Sequence, residues 1–249
     1  RMLFAGGYGY KNTIDFWTVQ SLGNASDFGD LTDQRNNMSG CNDKIRAVWA
    51  GGTGPGHGGV NTMDYVTIQS TGNAVDFGNL SVAREVDVAA GSSTRGIWAG
   101  GISPGSPYTY HNVIEYVTIA TLGNAQDFGD LATASWGGSG SGNATRMIIF
   151  GGQAVASPAS YDGSISSITI ASGGNAVRFG EPIDTTSQGR GGCSSPTRAV
   201  SGGGNNPTTD VIEYIEIATE GDSVDFGVLT VARHYPAGWS NAHGGVYVM

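Results

Sequence analysis

The sequence predicts an all-β chain, a five-bladed β-propeller of four-stranded antiparallel blades. Three observations lead there. One pattern recurs along the whole length, its copies break into short apolar runs bounded by turn signals, and helix formers are scarce beside 42 glycines in 249 residues. The copies open at Arg1, Arg46, Arg95, Arg146 and Arg198, at spacings of 45, 49, 51 and 52 residues. The repeats are therefore set at 1–45, 46–94, 95–145, 146–197 and 198–243, with an extra C-terminal strand at 244–249, all in one domain spanning 1–249.

Each repeat reads the same way. Leu3-Phe4-Ala5, Val48-Trp49-Ala50, Ile97-Trp98-Ala99 and Ile148-Ile149-Phe150 are apolar runs ended by a glycine pair, the pattern of a buried strand. A second run, Ile14-Asp15-Phe16-Trp17-Thr18-Val19 in the first copy, starts at Met63, Ile114, Ile165 and Ile212 in the others. Its β-branched and aromatic residues suit a sheet buried on both faces. Gly23-Asn24, Gly72-Asn73, Gly123-Asn124, Gly174-Asn175 and Gly221-Asp222 then predict tight hairpin turns. The next strand carries Phe28, Phe77, Phe128, Phe179 or Phe226, each followed by glycine and expected to fill the space between blades. A last short strand, Val88 to Gly91 for example, is rich in small residues that fit the crowded inner end of a blade. Four short strands per repeat, repeated radially, make a propeller. The diglycine-type strand occurs a sixth time as Gly245-Val246-Tyr247-Val248-Met249. The ring is expected to close instead by Tyr235 to Asn241 pairing beside Arg1 to Gly7, because an open ring leaves strand edges unpaired.

Composition narrows the partners. A net charge of −9, with 12 scattered Lys and Arg, excludes nucleic acid, which needs a clustered cationic surface. No apolar run is long enough to cross a bilayer, so no membrane insertion is expected, and no signal-peptide pattern is present. Arg1 lies inside a strand motif, so the chain is expected to be a segment of something longer. Cys41 and Cys193 share one repeat position and are expected as buried free thiols.

The diglycine strand, the Tyr-bearing strand, the aromatic on the fourth strand and the following arginine resemble the kelch repeat. They are Gly51-Gly52, Tyr65, Phe77 and Arg84 in one copy, and Gly203-Gly204, Tyr214, Phe226 and Arg233 in the last. Two departures stand out: Phe replaces the family's usual Trp, and Ser135 and Ser187 stand where Arg35, Arg84 and Arg233 sit. The wording of the repeat also resembles kelch-like repeats in virion and tail-associated proteins of marine phages. That likeness implies a virion or extracellular setting, in a homo-oligomer or as part of a larger virion protein.

Chemistry is sparse. Asp-Phe-Gly, at Asp27, Asp76, Asp127 and Asp225, resembles a kinase metal-binding motif, but its recurrence at repeat spacing reads as scaffold. The repeat arginines are expected to bond backbone carbonyls or carboxylates of the adjacent blade. Copy four is set apart by Arg178 and Ser166, where other copies carry carboxylates. His57, His111, His234 and His243 fall at unrelated repeat positions without metal-ligand spacing, and no nucleophile elbow is present. No enzyme, catalytic residue, metal or cofactor is therefore expected. Galactose oxidase is a kelch-type enzyme, but its copper ligands are not reproduced as a recognisable set, and the Asp-box of sialidase propellers is absent.

The loops after the diglycines differ most, and variable loops on a rigid scaffold are where binding residues concentrate. They carry Tyr8, Tyr10, His57, Tyr108, Tyr110, His111, Tyr161, Asn205 and Asn206, the candidate ligand-binding residues. Rings that stack on a pyranose beside amides that bind its hydroxyls suit a sugar; Tyr packing down Gly-rich loops is the plainer alternative. Tyr108, Tyr110 and His111 are expected to be the most exposed aromatic cluster. The reading is a recognition module, a phage virion or tail appendage binding a cell-surface glycan or protein. A purely structural oligomerisation module is the alternative, and a kelch-type enzyme the weakest.

Overall fold

The computed structural model describes residues 1–156 and 159–238 and is all-β, with antiparallel sheets following one another along the chain. The first sheet has three strands, Met2–Ala5 (β1), Lys11–Trp17 (β2) and Ser26–Arg35 (β3). The second is Ser39–Asn42 (β4), Arg46–Ala50 (β5), Thr62–Thr67 (β6) and Val75–Asn79 (β7). Val88–Gly91 (β8), Arg95–Ala99 (β9), a short hairpin Ile102–Ser103 (β10) and Thr109–Tyr110 (β11), Val113–Thr118 (β12) and Gln126–Asp130 (β13) follow; β8, β9, β12 and β13 form the third sheet. The fourth sheet joins Ser139–Gly142 (β14) and Arg146–Phe150 (β15) to the strands that follow another small hairpin, Gln153–Ala156 (β16) and Ala159–Tyr161 (β17). Those strands are Ile165–Thr169 (β18) and Val177–Gly180 (β19). Gly191–Ser194 (β20), Arg198–Gly202 (β21), Val211–Glu216 (β22) and Val224–Val228 (β23) complete the fifth.

The last strand of a sequence repeat belongs to the next sheet: β4 pairs with β5, β8 with β9, β14 with β15 and β20 with β21. Sheet and repeat boundaries are thus offset by one strand. The segment expected to complete the first sheet, Tyr235 to Asn241, lies partly outside the described residues, as does the sixth diglycine-type strand.

Asp-Phe-Gly is a joint between sheets. In every sheet the register shifts at the same place, as between Met63 and Asp64, leaving the Phe as the extra residue of a bulge. Phe28, Phe77, Phe128 and Phe179 are buried, and their carbonyls accept the N–H of Gly72, Gly123, Gly174 and Gly221 at 2.6 to 3.0 Å. The glycine after the Phe permits this approach: a Cβ on Gly129, at φ +147°, would lie 2.4 Å from Gly174 O. The Gly-Asn pairs do not close the hairpins as the sequence suggests. The chain reverses earlier, where Ser70 N–H bonds Thr67 O, and the pair instead locks onto the preceding sheet. Asn73, Asn124, Asn175 and Asp222 accept backbone N–H groups of Asp30, Asn79, Asp130 and Glu181 at 2.9 to 3.1 Å.

The arginines do the same work. Arg1, Arg46, Arg95 and Arg146 each donate to a carbonyl of the following sheet, Ile68, Ile119, Ile170 and Ile217, at 2.8 to 3.0 Å. Arg35–Asp64 and Arg84–Glu115 are fully buried ion pairs between neighbouring sheets, both at 2.7 Å. At the next junction Ser135 and Ser166 replace both partners at once. At the fourth, Ser187 takes the arginine's place, and Arg190, three residues on, reaches Glu213. Arg178 pairs with Glu181 at the end of its own strand, both exposed.

Among the described residues, these contacts stop after the fifth sheet. Phe226 is 56% exposed where its four counterparts are at most 4%. A Cβ on Gly227 would meet nothing within 4 Å. Arg198 turns to the exposed Glu216, while Arg233 and Asp15 are both exposed and without an ion pair among the described residues, Arg233 Nε donating only to the Val231 carbonyl of its own turn. Cys41 is a buried free thiol pushed up by burial, but Cys193 is only half-buried, a departure from expectation. Both line a central cavity of about 440 Å³, walled by the small residues of β4, β8, β14 and β20 and by Arg1, Met2 and Leu3.

Candidate functional site

The diglycines build the other end of this core. The segment leaving each sheet passes so close to the next diglycine that a Cβ on Gly52 would lie 2.5 Å from Asn36 O, and one on Gly101 2.1 Å from Glu85 O. Paired backbone hydrogen bonds then pin Asn36 to Thr53, Glu85 to Ile102, Trp136 to Gln153 and Gln188 to Asn205, at 2.7 to 3.3 Å. One repeat position is thereby held in one backbone geometry in successive sheets. Its side chains are Asn, Glu, Trp and Gln.

Three of these four positions leave a buried hydrogen-bonding atom without a partner among the described residues: Asn36 Oδ1, Trp136 Nε1 and Gln188 Oε1. At the fourth, Glu85 Oε1 accepts from Thr53 Oγ1 at 2.5 Å. Asp87, two residues on, accepts the Gly137 N–H at 3.1 Å. Desolvation, opposed by that bond and reinforced by Glu85, pushes the Asp87 carboxyl up to about 7. Tyr235 stands beside the pair, its ring 5.9 Å from Trp136 and its phenol pushed up to about 12 by burial and then by Asp87 and Glu85. Gly189 makes this packing possible: a Cβ there would lie 2.9 Å from the Tyr235 ring.

The loop residues singled out from sequence divide into groups. Tyr10, His57 and Tyr108, from three successive sheets, line one depression of about 380 Å³ together with Asn36, Thr53 and Glu85. Tyr10 Oη and His57 Nδ1 are hydrogen-bonded at 2.6 Å. Tyr110 lies beside Tyr108 and Tyr161, and burial pushes its phenol up. His111 is half-buried, bonded to Ser103 Oγ at 2.8 Å through Nε2, and lowered by burial and by Arg84. Asn205 is bridged to Gln188 by paired backbone hydrogen bonds. Asn206 is exposed at φ +74°. Tyr8 is 97% exposed, so the expected cluster of Tyr108, Tyr110 and His111 is not the most exposed aromatic surface.

The inner residues Asn36, Glu85, Asp87, Trp136, Gln188 and Tyr235 are absent from the loop-based selection. Asn36, Glu85, Trp136 and Gln188 follow Arg35, Arg84, Ser135 and Ser187 in a column whose chemistry changes in every copy, but the positions beside it vary as well, so the sequence does not single it out.

No protein-family profile and no curated protein matches the chain. A solved structure described as "Structure of YjhT" superposes with a TM-score of 0.75 at 10% sequence identity, covering 94% of this chain and 83% of that one. This is a likeness of fold.

Proposed function

We propose that the five sheets are the blades of a kelch-like five-bladed β-propeller, and that it is a non-catalytic recognition module. In this reading it sits on a phage virion or tail appendage, or is otherwise extracellular, and binds a cell-surface glycan or protein through its diglycine-loop end. The observation that carries the reading is the inner ring, where one backbone geometry presents Asn36, Glu85, Trp136 and Gln188. A scaffold position would keep its chemistry as it keeps its geometry; a position that keeps only its geometry is free to serve a ligand. The repeated sheet-to-sheet joints support the propeller. The virion setting rests on the resemblance of the repeat. A glycan array tests the function: retention of a glycan that is lost on Tyr108→Ala or Tyr110→Ala supports recognition, and no retained glycan or surface protein refutes it.

The open face of the fifth sheet favours a second reading, a structural module that assembles through it. Val224, Phe226 and Val228 are all more than half exposed there. Asp15→Cys with Arg233→Cys separates the two. A disulfide within one chain supports a closed ring; one between chains supports assembly.

A further inference from the structure

We propose that the inner ring, rather than the outer loop aromatics, is the primary subsite, and that it takes an uncharged pyranose at the end of a glycan. The inference rests on the recognition reading above and adds where the sugar sits and which sugars are refused.

The first support is the set of orphan atoms. A buried polar atom without a partner costs about 1–3 kcal/mol, so each one calls for an explanation. Gln188 is 7% exposed, and its Oε1 has no partner among the described residues. It lies beside Gly137, where a Cβ would be 3.6 Å away, and that residue's N–H holds Asp87. The unbonded Gln188 oxygen and the Asp87 carboxylate therefore flank one turn. Trp136 Nε1 adds a donor nearby. A ligand hydroxyl that reaches such an atom supplies the partner it lacks.

The second support is the combination of groups. Trp136 and Tyr235 give aromatic surface, Gln188 and Asn36 give acceptors, and Glu85 and Asp87 give two carboxylates. A sugar ring has an apolar face for the first and hydroxyl donors for the rest. The carboxylates also select. Glu85 is held by a hydroxyl, and Asp87 by a single backbone N–H, with no ion pair to either among the described residues. A uronate or sialyl carboxylate brought against Glu85 meets like charge in a partly desolvated site.

The test is an array of neutral, uronate-terminated and sialylated glycans, followed by titration of the best-retained glycan against variants. Gln188→Met removes the orphan acceptor. Binding is expected to weaken about tenfold while the melting temperature does not fall, because a buried unpartnered amide does not stabilise the free fold. Trp136→Leu is expected to weaken it further. Glu85→Gln, which still accepts from Thr53, is expected to raise retention of uronate-terminated glycans. Preference for acidic glycans by the unaltered protein overturns the proposal. So does glycan binding that ignores Gln188→Met and Trp136→Leu but is lost on Tyr108→Ala; that result leaves the recognition reading standing. Retention of no glycan overturns the glycan form of both.

Discussion

Replacing Glu115 by Gln should be among the most damaging single changes outside the apolar core. Its carboxylate meets Arg84 Nη1 at 2.7 Å, and the side chains are 1% and 0% exposed. Glu115 Oε1 also accepts the Ser81 N–H at 2.7 Å, and Arg84 Nε donates to Gly100 O at 2.8 Å. Glu115→Gln keeps an acceptor for Ser81 but leaves a buried guanidinium without its counter-ion, at a cost of about 3–5 kcal/mol. Arg84→Met strands the carboxylate and should cost as much. The double variant strands neither charge, so it should cost less than the sum by at least about 2 kcal/mol. The protein already holds the parallel case: at the next junction Ser135 and Ser166 have lost both charges together. Urea denaturation of the four proteins closes the cycle. At about 2–4 °C per kcal/mol for a domain of this size, each single change should lower the melting temperature by about 6–20 °C. A single variant costing under about 1 kcal/mol, or a double variant costing the full sum, would refute the argument.

Three further outcomes follow from the same geometry. Gly129→Ala and Gly227→Ala impose similar backbone strain, at φ +147° and +139°, but only the first drives a Cβ into the next sheet. Gly129→Ala should therefore be the costlier by about 1–3 kcal/mol in thermal melts, and equal costs would show that the close approach is unimportant. Arg233→Met should leave stability almost unchanged, in contrast to Arg84→Met, because Arg233 is exposed and has no ion pair among the described residues; a comparable loss would mean that Arg233 meets Asp15 in solution. Asp87 keeps its proton up to about 7 in the fold, whereas the unfolded chain gives it up in the ordinary aspartate range. The unfolded state then binds fewer protons between those limits, so stability should fall as pH rises through that window and level off above about 7. Calorimetry should show a shallower slope for Asp87→Asn, and an unchanged slope would assign the effect elsewhere.

The repeat itself was legible because it is local. Apolar runs, glycine pairs and arginines recur at a fixed period, and the strands they specify appear in all five sheets, with the first sheet lacking only its innermost strand among the described residues. The sequence also marks the residues of every joint, since Phe, Gly, Asn and Arg recur whether or not their role is understood. What each one touches was decided only by packing across sheets. Gly72-Asn73 looks like a hairpin turn, yet its N–H and side-chain oxygen are used by Phe28 and Asp30, more than 40 residues earlier. Arg190 falls outside the repeat register but reaches the carboxylate that a registered arginine would take, because a long side chain can enter the same buried site from three residues away. The candidate site divides the same way. Its outer aromatics announce themselves in variable loops. Asn36, Glu85, Trp136 and Gln188 lie about 50 residues apart in ordinary-looking segments. They take one backbone position in successive sheets only through close approach at the diglycines, which no local propensity encodes.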